Sequence, residues 1–236
     1  MTLRIASYNI RKCIGLDRRR DPARTARVIN DLSADVVLLQ EADKRLGARP
    51  AALPRSVIRE ETGLSVFPEG GGADSLGSHG NSILISENIT PQGIHFIDLP
   101  GFEPRGALIA DLTTPQGDLR ICGLHLGLRR RDRQRQMIAL QDHLNTLTNR
   151  PTILAGDFNE WSRNKGMEPL SDYTILTPGR SFHAARPIAH LDRIAHCNAW
   201  HLHSAGVIES PLARRASDHL PIWADFSKAF PQVAPI

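Results

Sequence analysis

The residues with the clearest chemical potential lie in the segment Pro151–Trp161. Asp157 and Asn159 follow a short apolar run, Thr152–Ala155, with Gly156 between the run and the acid. This pattern predicts a buried strand, after which Gly156 lets the backbone turn and both polar side chains emerge at the carboxyl end. Carboxylate and carboxamide oxygens bind hard divalent cations and hold an attacking water, as metal-assisted phosphoryl hydrolysis requires. Gly, Asp and Asn are also common turn residues, so the segment alone leaves a simple turn open.

Other polar side chains of metal-binding or acid/base type lie at or beside the ends of predicted strands. They are Asn9, Glu41, His125, Asp192, Asp218 and His219. Each has an ordinary alternative as a turn residue, a capping acid, a core histidine or the partner of a nearby arginine. Glu41 closes the apolar run Val36–Leu39, so it needs a cation or hydrogen-bond donors if it is buried. The recurrence of such groups at comparable positions favours a shared site.

The elements that would position these groups are mostly strands. Strands or strand-like segments are predicted at residues 1–8, 36–39, 64–67, 82–85, 94–99, 107–112, 119–126, 152–155, 190–194, 199–207 and 216–223. Helices are predicted after Asp21-Pro22, around Leu53–Thr62 and from about Arg131 to Leu147. Because strands outnumber helices and short turns join many neighbours, we expect antiparallel pairing with helices on the outer faces.

Length and composition indicate one α/β domain spanning residues 1–236. The chain has 236 residues, of which 41% are hydrophobic, and we find no linker that would divide it. No apolar run approaches the ~20 residues needed to cross a bilayer, and the amino terminus lacks the apolar core of a signal peptide. Cys13, Cys122 and Cys197 lack metal-ligand spacing, so we expect free thiols in a reducing compartment and a cytoplasmic protein.

The net charge is mildly basic, at +4 with a pI of about 9.3. This favours an anionic substrate, although excess arginine is also common on solvated surfaces. The densest basic cluster contains Arg129, Arg130, Arg131, Arg133 and Arg135. Apolar residues follow it at helical spacing, which favours the polar first turns of an amphipathic helix. A patch for nucleic acid or anionic lipid is the alternative.

Four segments occur in this order along the chain: Ser-Tyr-Asn-Ile at 7–10, Leu-Gln-Glu at 39–41, Gly-Asp-Phe-Asn at 156–159 and Ser-Asp-His-Leu-Pro at 217–221. They resemble the signature segments of the endonuclease/exonuclease/phosphatase superfamily. The resemblance spans nearly the whole chain and implies a four-layer α/β sandwich. In that fold two mixed β-sheets pack face to face with helices outside, and the active site lies at one edge.

The resemblance also implies a metal site and the reaction that it serves. Glu41 resembles the principal metal ligand of the family, with Asn9 and Asp218 assisting. Oxygen ligands without a Cys/His cluster indicate Mg²⁺ or Mn²⁺ rather than zinc. A cation would neutralise the phosphate oxygens, which otherwise repel an attacking hydroxide.

The catalytic roles carry over in the same way. Asp157 matches the residue that orients or deprotonates the attacking water, and Asn159 matches the amide that positions water and a phosphate oxygen. His219 corresponds to the histidine that contacts the phosphoryl oxygen or transfers a proton. Asp192 corresponds to the acid that fixes the tautomer of this histidine. His125 resembles a second histidine of the pancreatic deoxyribonuclease type.

Three further residues are candidate substrate contacts, namely Arg105, Asn81 and His79. A guanidinium such as that of Arg105 binds phosphate oxygens, although it also forms ordinary surface ion pairs. Three departures from secreted nucleases leave the substrate open: no disulfide pair, no long insertion to grip DNA, and only 5% aromatic residues.

The prediction is therefore a metal-dependent phosphoesterase that acts on a phosphodiester in nucleic acid, a phospholipid headgroup or a small metabolite. A lipid-headgroup phosphodiesterase or phosphatase is the main alternative within the enzymes. A non-catalytic module that binds anions is the alternative outside them, but binding alone does not require both Asp157 and the Asp192/His219 pair.

Overall fold

Two six-stranded mixed β-sheets form the centre of the computed structural model, which describes residues 2–44, 50–68 and 75–229. The first sheet has the order β11-β12-β1-β2-β4-β3, with β1 Leu3–Asn9, β2 Val36–Gln40, β3 Ser65–Phe67, β4 Ser82–Ile85, β11 Trp200–Val207 and β12 Ile222–Lys228. The second has the order β5-β6-β7-β8-β10-β9, with β5 Thr90–Leu99, β6 Arg105–Thr114, β7 Gly117–His125, β8 Thr152–Asp157, β9 Thr174–Leu176 and β10 Asp192–His196. In each sheet one central pair is parallel, β1 with β2 and β7 with β8, and the other pairs are antiparallel.

Side-chain alternation along the central strands explains their continuous apolar runs. In β2, Val36 and Leu38 pack between the two sheets, whereas Val37 and Leu39 pack under the helices on the outer face. A strand covered on both faces requires apolar residues at every position. The run that predicted a strand is therefore a strand of this buried kind.

The helices cover the outer faces of the two sheets. They are α1 Pro22–Asp31, α2 Arg55–Thr62, α3 Arg130–Thr146 and α4 Pro211–Ala216. Residues of α1, α2 and α4 pack on the first sheet, and Met137 and Leu140 of α3 pack on the second. A separate apolar layer fills the space between the sheets. The order helix, sheet, sheet, helix confirms the predicted four-layer α/β sandwich.

The carboxyl-terminal segment differs from its prediction as a strand-like stretch at 216–223. It begins with the end of α4, which was not anticipated; Ser210 caps this helix by accepting a hydrogen bond from Ala213 N at 3.2 Å. The strand β12 starts only at Ile222, so Asp218 and His219 precede a strand rather than close one. The second helix was also placed too early, because it begins at Arg55 after an extended Pro54.

The prediction that Gly156 turns the chain was wrong. Strand β8 continues through Gly156 to Asp157. A Cβ added at Gly156 would lie 1.9 Å from the carbonyl oxygen of Leu124 on the neighbouring strand. Gly156 therefore allows β7 and β8 to approach closely, and the chain turns only after Asp157.

Two expectations about the whole chain can be compared with the described residues. Cys13, Cys122 and Cys197 are free, as expected, and the first two are buried. None of the helices in the described ranges combines the length and the apolar character required to span a bilayer.

Candidate active site

Strand register brings three of the predicted site residues to one level of the second sheet. Asp157, at the end of β8, pairs with His125 at the end of β7 on one side and with Asp192 at the start of β10 on the other. Neighbouring strands lie about 4.8 Å apart, and paired residues point to the same face. Ile153 and Ala155 precede Asp157 in the same row and pack between the sheets. The three polar side chains therefore extend this inner row at its open end.

Asn9 approaches the same point from the first sheet. Leu3 and Ile5 precede it in a row that also faces the space between the sheets. Its side-chain amide donates a hydrogen bond from Nδ2 to Asp157 Oδ2 at 3.1 Å, and the Ser217 hydroxyl donates to its backbone oxygen at 2.7 Å. The two sheets thus meet at Asp157 through a direct polar contact.

His219 reaches Asp157 from the turn that precedes β12. Its Nδ1 lies 2.8 Å from Asp192 Oδ2, and its Nε2 lies 3.6 Å from Asp157 Oδ2. The Nε2 atom of His125 lies 3.5 Å from the same carboxylate oxygen. The ring of Phe182 packs on the His219 ring, with centroids 4.9 Å apart. Two histidines therefore face one buried carboxylate, and Asp192 and Phe182 hold one of them in place.

Asn159 holds the other oxygen of the same carboxylate. Its backbone N–H donates to Asp157 Oδ1 at 2.9 Å, and its side-chain Nδ2 donates to the carbonyl oxygen of Leu126 at 2.9 Å. Asn159 has a positive φ of 51°, a conformation that few residues other than glycine adopt. This strained backbone sits directly at the cluster, as is common in functional sites.

Burial and neighbouring charges shift the pKa values of Asp157 and His219. Burial raises the pKa of Asp157 to about 6, although the attraction of His219 opposes this shift. For His219, burial disfavours the charged imidazolium, but the carboxylates of Asp192 and Asp157 outweigh it and raise the pKa to about 10.

Glu41 and Asp218 join this centre through two basic residues that follow Asn9. Lys12 forms an ion pair with Glu41, and Arg11 Nε lies 3.4 Å from Asp218 Oδ2. Arg11 also donates its backbone N–H to Asn9 Oδ1 at 3.1 Å. Glu41, one residue beyond β2, has a positive φ of 53°. Glu41 and Asp218 are therefore each joined by an ion pair to the turn that follows Asn9.

A cleft of about 330 Å³ opens beside these residues. It is lined by Lys12, Glu41, Asp43, Lys44, His79, Gly80, Glu103, Pro104, Arg105, His125 and Leu128. The lining contains two of the three predicted substrate contacts. Arg105 Nε lies 3.9 Å from Glu103 Oε2, and His79 Nε2 lies 2.7 Å from Asp98 Oδ1.

The third predicted substrate contact, Asn81, is placed differently. Its side chain is buried and donates from Nδ2 to the carbonyl oxygen of Gly106 at 2.9 Å. Gly106 follows Arg105 at the start of β6. Asn81 therefore supports the strand that carries Arg105 and is not among the residues that line the cleft.

Comparison with known proteins agrees with this geometry. A model of the endonuclease/exonuclease/phosphatase family matches residues 6–219, which include every one of the predicted site residues. The chain belongs to this family. It is 32% identical over 175 residues to the uncharacterized protein YbhP of Escherichia coli strain K12, a match covering 68% of this chain and 65% of that protein. The chain thus matches just under two thirds of the length of this relative.

Solved structures of the family share the fold. An endonuclease/exonuclease/phosphatase from Beutenbergia cavernae has a TM-score of 0.74 at 21% identity, over 99% of this chain and 73% of that one. The human Nocturnin catalytic domain with a bound sulfate anion has a TM-score of 0.73 at 19% identity, over 97% and 94% of the two chains. A humanized Danio rerio TDP2 has a TM-score of 0.72 at 18% identity, over 96% and 99%. These similarities concern the fold.

The donor set of the site fits a divalent cation, as the family membership implies. In the part of the chain that the structure describes, Asp157, Asp192 and His219 present ligand atoms within 4.8 Å of one another. Asp192 Oδ1 is a buried acceptor without a hydrogen-bond partner in the described ranges. A buried, unpaired carboxylate oxygen is costly unless a cation or donor meets it. The group of three consists of residues predicted to be catalytic, and the predicted ligands Glu41 and Asp218 are not in it; they supply two more carboxylates, which are paired with the turn after Asn9.

Two arginines of the basic cluster in α3, Arg130 and Arg133, form ion pairs within the protein. Arg133 is buried and its Nη2 lies 2.7 Å from Glu160 Oε2, while Arg130 Nη2 lies 2.7 Å from Glu160 Oε1. Arg193, fully buried, donates to the Glu160 carbonyl at 2.9 Å. Burial alone would raise the pKa of Glu160, but the hydrogen bonds from Arg130 and Arg133 lower it to about 2. The predicted helix is confirmed, and Glu160 neutralises part of its basic cluster.

Sequence reasoning missed several residues that shape the site. Phe182 packs on His219, Ser181 Oγ accepts a hydrogen bond from Asp192 N at 3.3 Å, and Ser217 supports Asn9. Ser217 lies inside a signature segment and could have been noticed. No motif or spacing marks Ser181 and Phe182, because their partners are distant in sequence or belong to another strand.

Proposed function

We propose that the protein is a divalent-metal-dependent phosphoesterase that hydrolyses a phosphodiester by in-line attack of an activated water. The observation that carries this proposal is the environment of Asp157. Its carboxylate accepts hydrogen bonds from Asn9 and Asn159 and faces the Nε2 atoms of both His125 and His219. Asp157 does not itself line the cleft, but its neighbour His125 does. A carboxylate surrounded by donors and imidazoles beside a cleft is suited to proton transfer and to binding of a phosphoryl group.

The residues around Asp157 take distinct parts in the proposed reaction. Asp157 orients the attacking water and accepts its proton. Asn159, whose amide is fixed by Leu126, positions the water and a phosphate oxygen. His219 offers its Nε2 to the phosphoryl or leaving oxygen. Asp192 acts through His219, because its bond to Nδ1 fixes the orientation of the ring.

The metal ligands and the remaining contacts lie on the cleft side. We assign Glu41, Asn9 and Asp218 to a bound Mg²⁺ or Mn²⁺, since these ions prefer oxygen ligands. When bound, such an ion neutralises charge on the phosphate oxygens. His125, Arg105 and His79 line the cleft where a phosphate ester enters, and Asn81 holds the Arg105 strand.

The proposed substrate is a phosphate ester. The arrangement of the site is compatible with nucleic acid, a phospholipid headgroup or a small phosphodiester. A non-catalytic anion-binding module is less consistent with the site. Anion binding needs the cations of the cleft, but it gives no reason to bury Asp157 beside two histidines and to fix His219 with a second acid.

We also propose that residues 1–236 form one domain in the cytoplasm. The pairing of β1 with β12 supports the first part, because it joins the two ends of the described chain in one sheet. The free thiols of Cys13, Cys122 and Cys197 are consistent with a reducing compartment.

A substrate panel tests the proposed function. DNA, RNA, glycerophospholipids and bis(p-nitrophenyl) phosphate are incubated with Mg²⁺ or Mn²⁺, with and without EDTA. We expect hydrolysis of at least one phosphodiester that EDTA abolishes, and a loss of about 10³-fold in Asp157→Asn. Asp172→Asn, at an exposed acid, is the matched control and should retain activity. Hydrolysis that persists in EDTA or in Asp157→Asn would refute the mechanism.

A further inference from the structure

Four large hydrophobic side chains are exposed near the cleft or near His219. They are Phe102, Leu128, Trp161 and Ile188, with 74%, 66%, 60% and 60% of their surfaces exposed. We call these four residues the apolar rim. Exposed apolar side chains that cluster at one place mark an interaction surface more often than isolated ones do.

On one side, the rim is continuous with the cleft lining. Leu128 itself lines the cleft, and its backbone N–H donates to Glu103 Oε2 at 3.0 Å. Phe102 directly precedes Glu103, which also lines the cleft. The guanidinium of Arg129 lies 4.5 Å from the centre of the Phe102 ring. Leu128 and Phe102 therefore stand together at this edge of the opening.

The other two rim residues, Trp161 and Ile188, lie near His219 and are separated from it by Phe182. The Trp161 ring packs edge-on against Phe182, with centroids 6.0 Å apart, and Phe182 packs on the His219 ring. Ile188 donates its backbone N–H to the Phe182 carbonyl at 2.7 Å. Trp161 and Ile188 thus lie beside the catalytic histidine, across Phe182.

The backbone that carries Trp161 is held firmly. The buried guanidinium of Arg193 donates to the carbonyl oxygen of Glu160 at 2.9 Å and to that of Ser162 at 2.6 Å. These are the residues on either side of Trp161. An exposed indole on a fixed backbone loses little conformational freedom when it enters an interface.

The exposed charged residues in the four segments that carry the rim are mainly positive. The rim residues lie in segments 100–104, 127–131, 161–165 and 186–188. The exposed cations of these segments, apart from Arg130 with its Glu160 partner, are Arg129, Arg131, Arg163, Lys165 and Arg186. The acid at the surface of the same segments, Glu103, is partly buried and bonded to Leu128 N.

This combination distinguishes two anionic partners. Nucleic acid binds through cations and planar stacking surfaces, which Phe102 and Trp161 also offer, but exposed aliphatic side chains such as Leu128 and Ile188 contribute less to its binding. An anionic bilayer attracts the same cations and also accepts aliphatic and indole side chains at the level of its headgroups. The chemistry of the rim fits the bilayer better.

We infer that the apolar rim docks the mouth of the cleft on an anionic lipid bilayer, which places the substrate phosphoester at headgroup level. The link to catalysis rests on the proposed phosphoesterase function, whereas the docking itself does not. The membrane would then be both the binding surface and the source of substrate.

Vesicle binding tests this inference without measuring catalysis. The full chain is sedimented with vesicles of phosphatidylglycerol and phosphatidylcholine in equal parts, and with vesicles of phosphatidylcholine alone, in the presence of EDTA. We expect binding to the anionic vesicles that weakens as salt is raised, and much weaker binding to the neutral ones.

The chain offers matched control variants for the rim. Ile188→Ser and Phe102→Ser should each weaken binding to anionic vesicles on the order of tenfold, since a buried apolar side chain contributes about that factor. Ile138→Ser and Phe96→Ser remove equivalent side chains, 50% and 49% exposed, that are not among the cleft-lining residues. These controls should bind like the wild type, and thermal unfolding checks that all four variants fold.

The outcomes separate the possibilities. Equal losses in rim and control variants, or no binding to anionic vesicles, would overturn the inference. Rim variants that lose binding to a single-stranded oligonucleotide but not to vesicles would overturn it in favour of nucleic acid. Absent vesicle binding with intact metal-dependent hydrolysis of bis(p-nitrophenyl) phosphate would refute only the docking. Specific vesicle binding without any hydrolysis would refute only the proposed function.

Discussion

Asp157 and Glu160 are two carboxylates on the same short segment, each with only 1% of its surface exposed. Asp157 faces two histidines and two amide donors, and burial raises its pKa to about 6. Glu160 is bonded by Arg130 and Arg133, and those bonds lower its pKa to about 2. The two shifts are opposite because Asp157 lies deeper in the protein and has no guanidinium partner, whereas Glu160 accepts hydrogen bonds from two arginines.

The difference separates a group available for chemistry from one committed to structure. A guanidinium keeps its charge at every physiological pH, so a carboxylate bonded to it stays ionised and fixed. Imidazole and amide partners allow a carboxylate to exchange protons or to meet a cation. The fold thus places a rigid ion cluster directly beside an adaptable one, and the rigid cluster anchors the segment that carries both.

The largest effect on stability is expected for Glu160→Gln. Removing this charge leaves the buried Arg133 without its anion, and breaking one half of a buried ion pair costs about 3–5 kcal/mol. Urea unfolding measures the loss. Asp172→Asn, at an exposed acid outside this cluster, is the control and should leave the free energy of unfolding nearly unchanged. Equal small losses of stability in both variants would contradict the structural role that we assign to Glu160.

Asp192→Asn tests the adaptable cluster around Asp157 and His219. Asp192 positions His219 through Nδ1, so the amide should lower kcat about 10²-fold while KM stays within about twofold. Steady-state kinetics on the best substrate of the panel separate the two constants. Asp225→Asn removes a carboxylate that bonds Arg4 instead, and it should affect stability but not kcat. A rise in KM at unchanged kcat would indicate that Asp192 does not act through His219.

The dependence of the free energy of unfolding on pH in the acid range is a smaller effect, and its sign is defined. The pKa of Glu160 lies below its ordinary value of 4.5, so its contribution is complete above about pH 4.5 and is lost as the pH falls towards 2. The stability difference between wild type and Glu160→Gln should therefore shrink across this window. Urea unfolding at a series of pH values measures it. A difference that stays constant down to about pH 2 would contradict the assignment.

The smallest effect on stability is expected for Arg130, at the exposed edge of the ion cluster around Glu160. Arg130 is about half exposed, so Arg130→Ala should lower stability only slightly despite its two bonds to Glu160. Arg133→Ala, at a buried side chain, should cost several times more, because it leaves Glu160 without its buried partner. Parallel urea titrations compare the two. Equal costs would mean that burial does not decide the strength of these pairs.

The sequence predicted the fold and much of the candidate site for identifiable physical reasons. The apolar runs of β2 and β8 are long enough to identify buried strands, and the polar residues that follow them mark the strand ends. The signature segments then placed Asn9, Asp157 and His219 in one site, where the contacts now join them.

Other features could not be read from the chain. Nothing in the sequence around Gly156 indicates that the carbonyl of Leu124 lies against it. The role of Glu160 depends on Arg130 and Arg133 of α3, and no sequence spacing shows that this helix packs beside the segment after β8. Helix α4 is short and carries a weak apolar pattern, so its local signals were limited to the cap at Ser210 and the proline that follows it.

The most direct test of the central claim compares the two neighbouring carboxylates in one assay. Metal-dependent hydrolysis of a phosphodiester is measured per folded molecule for wild type, Asp157→Asn and Glu160→Gln. We expect Asp157→Asn to lose about 10³-fold in kcat with its free energy of unfolding changed by about 1 kcal/mol or less, and Glu160→Gln to keep kcat within about tenfold while it unfolds more easily. An active Asp157→Asn, or an inactive Glu160→Gln of unchanged stability, would contradict the claim.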